Sequence, residues 1–201
     1  MQRMMSTTKD IQTQMTPAEA LEQLKAGNER FRSGKMQLRD YATEVDETAG
    51  GQFPFAAILG CIDSRATAEQ LFDQGVGDLF NARVAGNIVN EDVLGSLEYA
   101  CHVAGAKLIL VLGHTACGAV TAATQRVEMG NITALLSKIV PVVDSLRENT
   151  AVDEVAEHNV QYSIERIRKE SAILKDMEQA GKILIKGAMY DVASGKVRFL
   201  D

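Results

Sequence analysis

Two short segments of this chain gather two of its three cysteines and one of its three histidines. The first reads Gly60-Cys61-Ile62-Asp63-Ser64-Arg65 and the second Gly113-His114-Thr115-Ala116-Cys117-Gly118. Two thiolates and one imidazole form a donor set that zinc prefers, and a His-x-x-Cys spacing lets one loop supply two of the three without strain. Three protein ligands leave a tetrahedral ion with one open position, the feature that separates a catalytic zinc site from a structural one. Water in that position loses a proton near neutral pH and becomes a nucleophile, although two thiolates neutralise the ion more fully than imidazoles do and weaken the pull. Asp63 follows Cys61 closely and is expected to orient that water by accepting its hydrogen bond. Arg65 can fork its guanidinium onto the carboxylate and hold it away from the metal. Without that clamp, Asp63 would be free to become the fourth ligand and shut the site.

For the two segments to meet, both must leave the same edge of a sheet. Each follows a short apolar run, residues 55–59 and 107–112, that is continuous rather than alternating, as suits strands covered on both faces in a parallel sheet. Ligands collect beyond the carboxyl ends of such strands. Residues 79–84 form a third run. Residues 67–74 and 91–103 carry helix formers, with Thr67 and Gln70 spaced as a capping box. Further helices are expected at 117–128, 131–147 and 152–180, and further strands at 182–190 and 196–200. The expected fold is α/β, with a central, mostly parallel sheet flanked by helices. Ahead of it, residues 1–15 are polar without periodicity and read as a flexible lead. Thr16, Pro17 and Glu19 then start a helix whose stripe is Leu21, Leu24 and Phe31 and which Gly34 ends, and residues 35–52 read as a surface connection. The division is 1–51, flexible lead and N-terminal helical arm, and 52–201, zinc-binding α/β catalytic domain.

Composition narrows the function from the other side. The chain has 201 residues, 46% of them hydrophobic and 24% charged, which describes a globular domain. An odd count of three cysteines argues against a disulfide framework and for a reducing compartment. The net charge of -6, with basic residues scattered, excludes a nucleic-acid partner. The apolar runs fall far short of the ~20 residues of a membrane span, and the first fifteen or so residues lack the apolar stretch of a signal peptide, so no membrane partner and a cytoplasmic location are expected. Cys101 and His102 have no partner at ligand spacing and read as packing, while His158 lies opposite the apolar stripe of its helix and reads as solvated.

The paired motifs Cys61-x-Asp63-x-Arg65 and His114-x-x-Cys117-Gly118 resemble those of the beta-class carbonic anhydrases. The similarity runs from about Gln52 to the C-terminus and includes Ala85-Gly86-Asn87, Leu97-Glu98-Tyr99-Ala100 and residues 182–200. The resemblance implies one Zn2+ per chain on Cys61, His114 and Cys117, and reversible hydration of carbon dioxide to bicarbonate by zinc-bound hydroxide. Asp63 and Arg65 would be the catalytic pair. It also implies a homodimer or homotetramer whose N-terminal helix packs on the partner subunit. In the plant-like subclass a Gln, a Phe and a Tyr border the substrate; Gln52, Phe80 and Tyr99 match them and, with Gly118, are expected to bind the substrate, and the Trp of the other subclass is absent. The chain departs from many members in reading Ala66-Thr67-Ala68-Glu69 where they carry a Pro-containing stretch.

Two other functions draw on the same residues. Carbonyl sulfide and carbon disulfide are linear molecules open to the same attack, and their hydrolysis would release hydrogen sulfide. A non-catalytic zinc protein would use Asp63 to close the coordination, which Arg65 speaks against. A thiol redox role lacks a Cys-x-x-Cys pair.

Overall fold

The computed structural model describes residues 6–200. Five strands, β1 (Ala56–Gly60), β2 (Leu79–Arg83), β3 (Leu108–His114), β4 (Leu184–Tyr190) and β5 (Val197–Phe199), form one sheet in the order β2-β1-β3-β4-β5. β1 to β4 are parallel and β5 returns antiparallel to β4, so the α/β fold with a mostly parallel sheet is present. The chain leaves β1 for β2 on one side and returns to β3 on the other. A crevice therefore opens between β1 and β3, beyond their carboxyl ends. The register sets Gly60 beside Leu112, which brings Cys61 and His114 out on adjacent strands.

The continuous apolar runs divide by the pleat. Ala57, Leu59, Ile109 and Val111 face one side, where they meet Val93 and Leu97 of α5 (Glu91–Glu98) and Val160, Ile164 and Ile167 of α9 (Val152–Glu170). Ala56, Ile58, Leu108 and Leu110 face the other, under Ala20 and Leu24 of α2 (Pro17–Arg32) and Leu71 of α4 (Ala68–Leu71). Every residue of β1 and β3 is buried, as two covered faces require.

The N-terminal region is more ordered than its sequence suggests. Residues 1–5 of the expected flexible lead lie outside the described residues, but Lys9–Gln14 forms a helix, α1, capped by Thr8. Its anchor is polar: the Gln12 amide donates to the carbonyls of Pro54 at 2.7 Å and Ala104 at 2.8 Å, a docking that no apolar periodicity announces. The expected surface connection contains α3 (Tyr41–Thr48), whose buried Glu44 pairs with Arg39 at 3.2 Å and accepts from the Val76 N–H at 2.9 Å. The capping box of α2 forms as expected, with Thr16 and Glu19 bonded reciprocally and Pro17 at its first position. The one expected at Thr67 does not, since Thr67 makes no side-chain cap bond and α4 has only a single turn. Within the chain, α2 is fixed by Asn28, which donates to the carbonyls of Leu71 and Gly195, both at 3.0 Å, and accepts from the Val197 N–H at 2.9 Å.

Downstream, the long helical stretches divide into shorter helices. Residues 131–147 resolve into α7 (Gly130–Leu136) and α8 (Val140–Ser145), after α6 (Gly118–Thr124). Residues 152–180 divide at Ser171, which ends α9 and caps α10 (Ala172–Gln179) by accepting from the Leu174 N–H at 3.2 Å. The helix expected over 91–103 ends as α5, and 99–103 continues as a π turn. Cys101 is buried there and His102 is exposed; His158 is exposed on α9.

Gly27 sits mid-helix, where glycine costs about 1 kcal/mol relative to Ala. A Cβ there would stand 1.7 Å from the Phe72 carbonyl oxygen, backbone that cannot give way. Gly27→Ala is therefore expected to lower stability by about 1–3 kcal/mol despite the better helix former, read as a lower denaturation midpoint. An unchanged or higher midpoint would mean that α2 does not lie this close.

Candidate metal centre

Cys61 follows the last residue of β1, His114 is the last residue of β3, and Cys117 caps the N-terminus of α6. Three ligand atoms, the two Sγ and one ring nitrogen, lie within 4.8 Å of one another, and all three residues are buried. The His114 ring is oriented by the Thr115 carbonyl, 2.9 Å from Nδ1. A carbonyl only accepts, so Nδ1 carries the hydrogen and Nε2 presents its lone pair. That Nε2 is buried without a hydrogen-bond partner. An orphaned buried acceptor is costly in an apolar setting, and one facing two thiols is what a soft metal ion would satisfy. Zinc bonds of about 2.3 Å to sulfur and 2.0 Å to nitrogen need donors about 3.5–3.8 Å apart in a tetrahedron, which this cluster accommodates.

The loops are built to hold these atoms. Ala116 takes a left-handed conformation (φ 53°), strained for a residue with a Cβ, and its N–H donates to Asp153 in the first turn of α9 at 2.8 Å. Thr115 is tied to the end of β4 through its N–H and the Tyr190 carbonyl at 2.9 Å. Gly86 has φ 69°, and a Cβ there would lie 2.6 Å from Ile139; its N–H donates to the Cys61 sulfur at 3.3 Å. Asn159 of α9 fixes that turn by donating to the Gly86 carbonyl at 2.8 Å.

The electrostatics favour an ionised sulfur. The Cys117 thiol, His114 and the Gly86 N–H stabilise a Cys61 thiolate against the cost of burial and lower its pKa to about 4. The Cys117 thiol is pushed up by its bond to Cys61 and by burial, so the pair shares one negative charge. Burial opposes a charge on His114, yet Cys61, the Thr115 carbonyl and Asp63 together outweigh it and raise its pKa. Asp63 is gripped by Arg65 through Nε at 2.9 Å, Nη2 at 2.7 Å and the backbone N–H at 2.9 Å, which holds the carboxyl well below the usual carboxylate range. One Asp63 oxygen stands 4.0 Å from His114 Nε2.

Cys61, His114, Cys117, Asp63 and Arg65 thus converge, and Gly118 opens α6 beside them with nothing within 4 Å of where a Cβ would be. Gln52, Phe80 and Tyr99 do not join them within one chain. Gln52 is exposed ahead of β1, at the end opposite Cys61. Phe80 pairs with Ala57, four residues before Cys61, or about 13 Å along the strand. Tyr99 is 55% exposed and meets Phe80 edge-on at 6.4 Å, in a groove that also includes Asn81 and Ser96. Sequence reading missed Arg83, whose guanidinium bonds the loop carbonyls of Cys61 and Asp63, and missed Asp153 and Asn159. Arg83 ends β2 at the same sheet edge and was findable from that position; Asp153 and Asn159 carry no signal beyond their helix.

A parallel sheet that presents two thiols, an imidazole and an Asp–Arg pair at its switch point defines an α/β protein with a cradle that could hold a metal ion. The chain belongs to the beta-carbonic anhydrase family: residues 56–197 match the family model described as "Carbonic anhydrase". It is 37% identical over 195 residues to Carbonic anhydrase 2 of Mycobacterium tuberculosis, covering 92% of this chain and 93% of that one. It is 35% identical to the carbonic anhydrase of Mycolicibacterium smegmatis, covering 90% and 92%. Among solved structures, a Coccomyxa beta-carbonic anhydrase superposes with a TM-score of 0.71 at 28% identity, over 79% of this chain and 77% of that chain. Among the described residues no helix is long and apolar enough to cross a membrane.

Proposed function

We propose that this carbonic anhydrase binds one Zn2+ through Cys61, His114 and Cys117 and hydrates carbon dioxide reversibly to bicarbonate and a proton. The observation that carries the reading is the buried, unpartnered His114 Nε2 converging on two thiols, with an arginine-held carboxylate 4.0 Å away. The named relatives support the same chemistry. Zinc would supply a Lewis acid that makes water nucleophilic near neutral pH. Asp63, ionised by Arg65, accepts the hydrogen bond of the attacking water and aims its lone pair at the carbon of CO2. Arg65 occupies both oxygens of the Asp63 carboxylate, which would disfavour its turning to the metal and would suit the open arrangement of the plant-like subclass. Gly118 leaves room beside Cys117 for the substrate.

Gln52, Phe80 and Tyr99 serve as the substrate border in this reading only if a second copy brings them to the centre, because within one chain the strand register keeps Phe80 away from it. The half-exposed Tyr99 is compatible with such a face. A homodimer or homotetramer is accordingly proposed. Three free thiols suit a cytoplasmic location.

Elemental analysis and acidification of CO2-saturated buffer test the function together. The expected result is about one zinc per chain and proton release far above the buffer rate. A folded, zinc-loaded protein that leaves the rate of acidification unchanged would overturn it, and hydrogen sulfide release from carbonyl sulfide or carbon disulfide would move the assignment to those substrates.

A further inference from the structure

β2 ends at Arg83, which pairs with Gly60 in the parallel register, so its side chain leaves the sheet beside the point where β1 gives way to the loop carrying Cys61 and Asp63. Its Nε donates to the Cys61 carbonyl at 2.9 Å and its Nη2 to the Asp63 carbonyl at 2.6 Å. A guanidinium fork matched to two main-chain oxygens fixes the path of the backbone between them, because its donors are rigidly spaced. Those carbonyls lie past the end of the β1 ladder; the Asp63 carbonyl also accepts from the Ala66 N–H at 3.0 Å, a bond within the loop that ties it to no strand.

The placement matters because of the geometry of Asp63. Arg65 grips its carboxylate, but Arg65 belongs to the same loop and moves with it. Nothing in the Asp63–Arg65 pair sets the distance from that loop to His114 on β3. One Asp63 oxygen is only 4.0 Å from His114 Nε2. A carboxylate reaches zinc at about 2.0–2.2 Å, so a loop shift on the order of 1–2 Å would turn Asp63 from an orienting acceptor into a fourth ligand.

We propose that Arg83 is a positioning residue that keeps the metal site open by tying the main chain of residues 61–63 to β2, and so holds Asp63 short of coordination. This rests on the metal reading of Cys61, His114 and Cys117. Arg83 acts entirely through the loop and need not touch the substrate, while the Cys61 sulfur keeps its separate tie to the Gly86 N–H at 3.3 Å.

The test uses the full chain loaded with cobalt(II), whose visible bands report coordination and respond when a small anion such as azide enters an open position. Metal content is measured first; wild-type protein that takes up no cobalt at the three ligands overturns the metal reading and this proposal together. In Arg83→Ala, cobalt content and melting temperature are expected to stay near wild type, azide is expected to lose its effect on the bands, and CO2 hydration is expected to fall more than tenfold. Arg83→Lys keeps one of the two carbonyl contacts and should be intermediate; it also serves if the Ala variant does not fold. Adding Asp63→Asn to either variant should restore the azide response without restoring activity, which a merely structural role would not produce. An azide response in Arg83→Ala equal to wild type, or one still absent in the double variant, overturns the proposal while leaving the metal site intact.

Discussion

Cys117→Ser is expected to weaken zinc binding by about 10²–10³-fold, and carbon dioxide hydration should fall in proportion to the zinc lost. Zinc bound by four protein ligands contributes about 10–16 kcal/mol, so one thiolate accounts for about 2.5–4 kcal/mol. Serine fills nearly the same volume and is a favoured residue at a helix N-cap, the position that Cys117 holds on α6. The fold should therefore persist and separate a ligand effect from unfolding. Titration of zinc against a chromophoric chelator reads the affinity, and circular dichroism checks the fold. Unaltered affinity would remove Cys117 from the ligand set.

Asp63→Asn is expected to leave the zinc content at wild type and lower kcat/KM on the order of 10²-fold, the usual contribution of a positioned acceptor of a reacting proton. The amide preserves the shape of the side chain but replaces one accepting oxygen by a donor, which either sets two donors against each other at Arg65 or engages the lone pair of the attacking water instead of accepting its proton. Because Arg65 holds the Asp63 carboxyl below its ordinary range, Asp63 stays ionised across the whole neutral region. Its folded pKa lies below the unfolded one, so what the pair adds to stability is present above about pH 4, the ordinary carboxylate value, and fades as the pH falls toward the folded pKa. Steady-state kinetics with zinc analysis on the same sample decide the matter. Equal activity in wild type and Asp63→Asn would support a non-catalytic zinc protein instead.

The five residues at the centre were legible because chemistry and topology gave the same answer. Cys61 and His114 each close an apolar run that only a doubly covered strand explains, and the C-terminal edge of parallel strands is where such ends meet. The Asp63–Arg65 pair follows from spacing within one loop. What sequence could not reveal depended on partners distant in the chain. Gln12 anchors α1 through carbonyls on two other segments, and Glu44 holds α3 through Arg39 and the Val76 N–H, so polar residues fixed elements that a search for apolar stripes leaves as loops. The Ser171 break between α9 and α10 is a capping event inside an unbroken helical pattern. Phe80 and Tyr99 were assigned by resemblance; only the β1–β2 register reveals how far along the strand from Cys61 Phe80 stands, and Tyr99 lies against the Phe80 ring.

The most direct measurement is a crystal structure of the purified protein at neutral pH, with anomalous diffraction recorded on both sides of the zinc absorption edge. The expected result is a single zinc peak about 2.3 Å from the sulfurs of Cys61 and Cys117 and about 2.0 Å from His114 Nε2, with Asp63 still paired to Arg65. A zinc peak elsewhere, none at all in zinc-loaded protein, or Asp63 bound to the metal as a fourth ligand would contradict an open three-ligand centre.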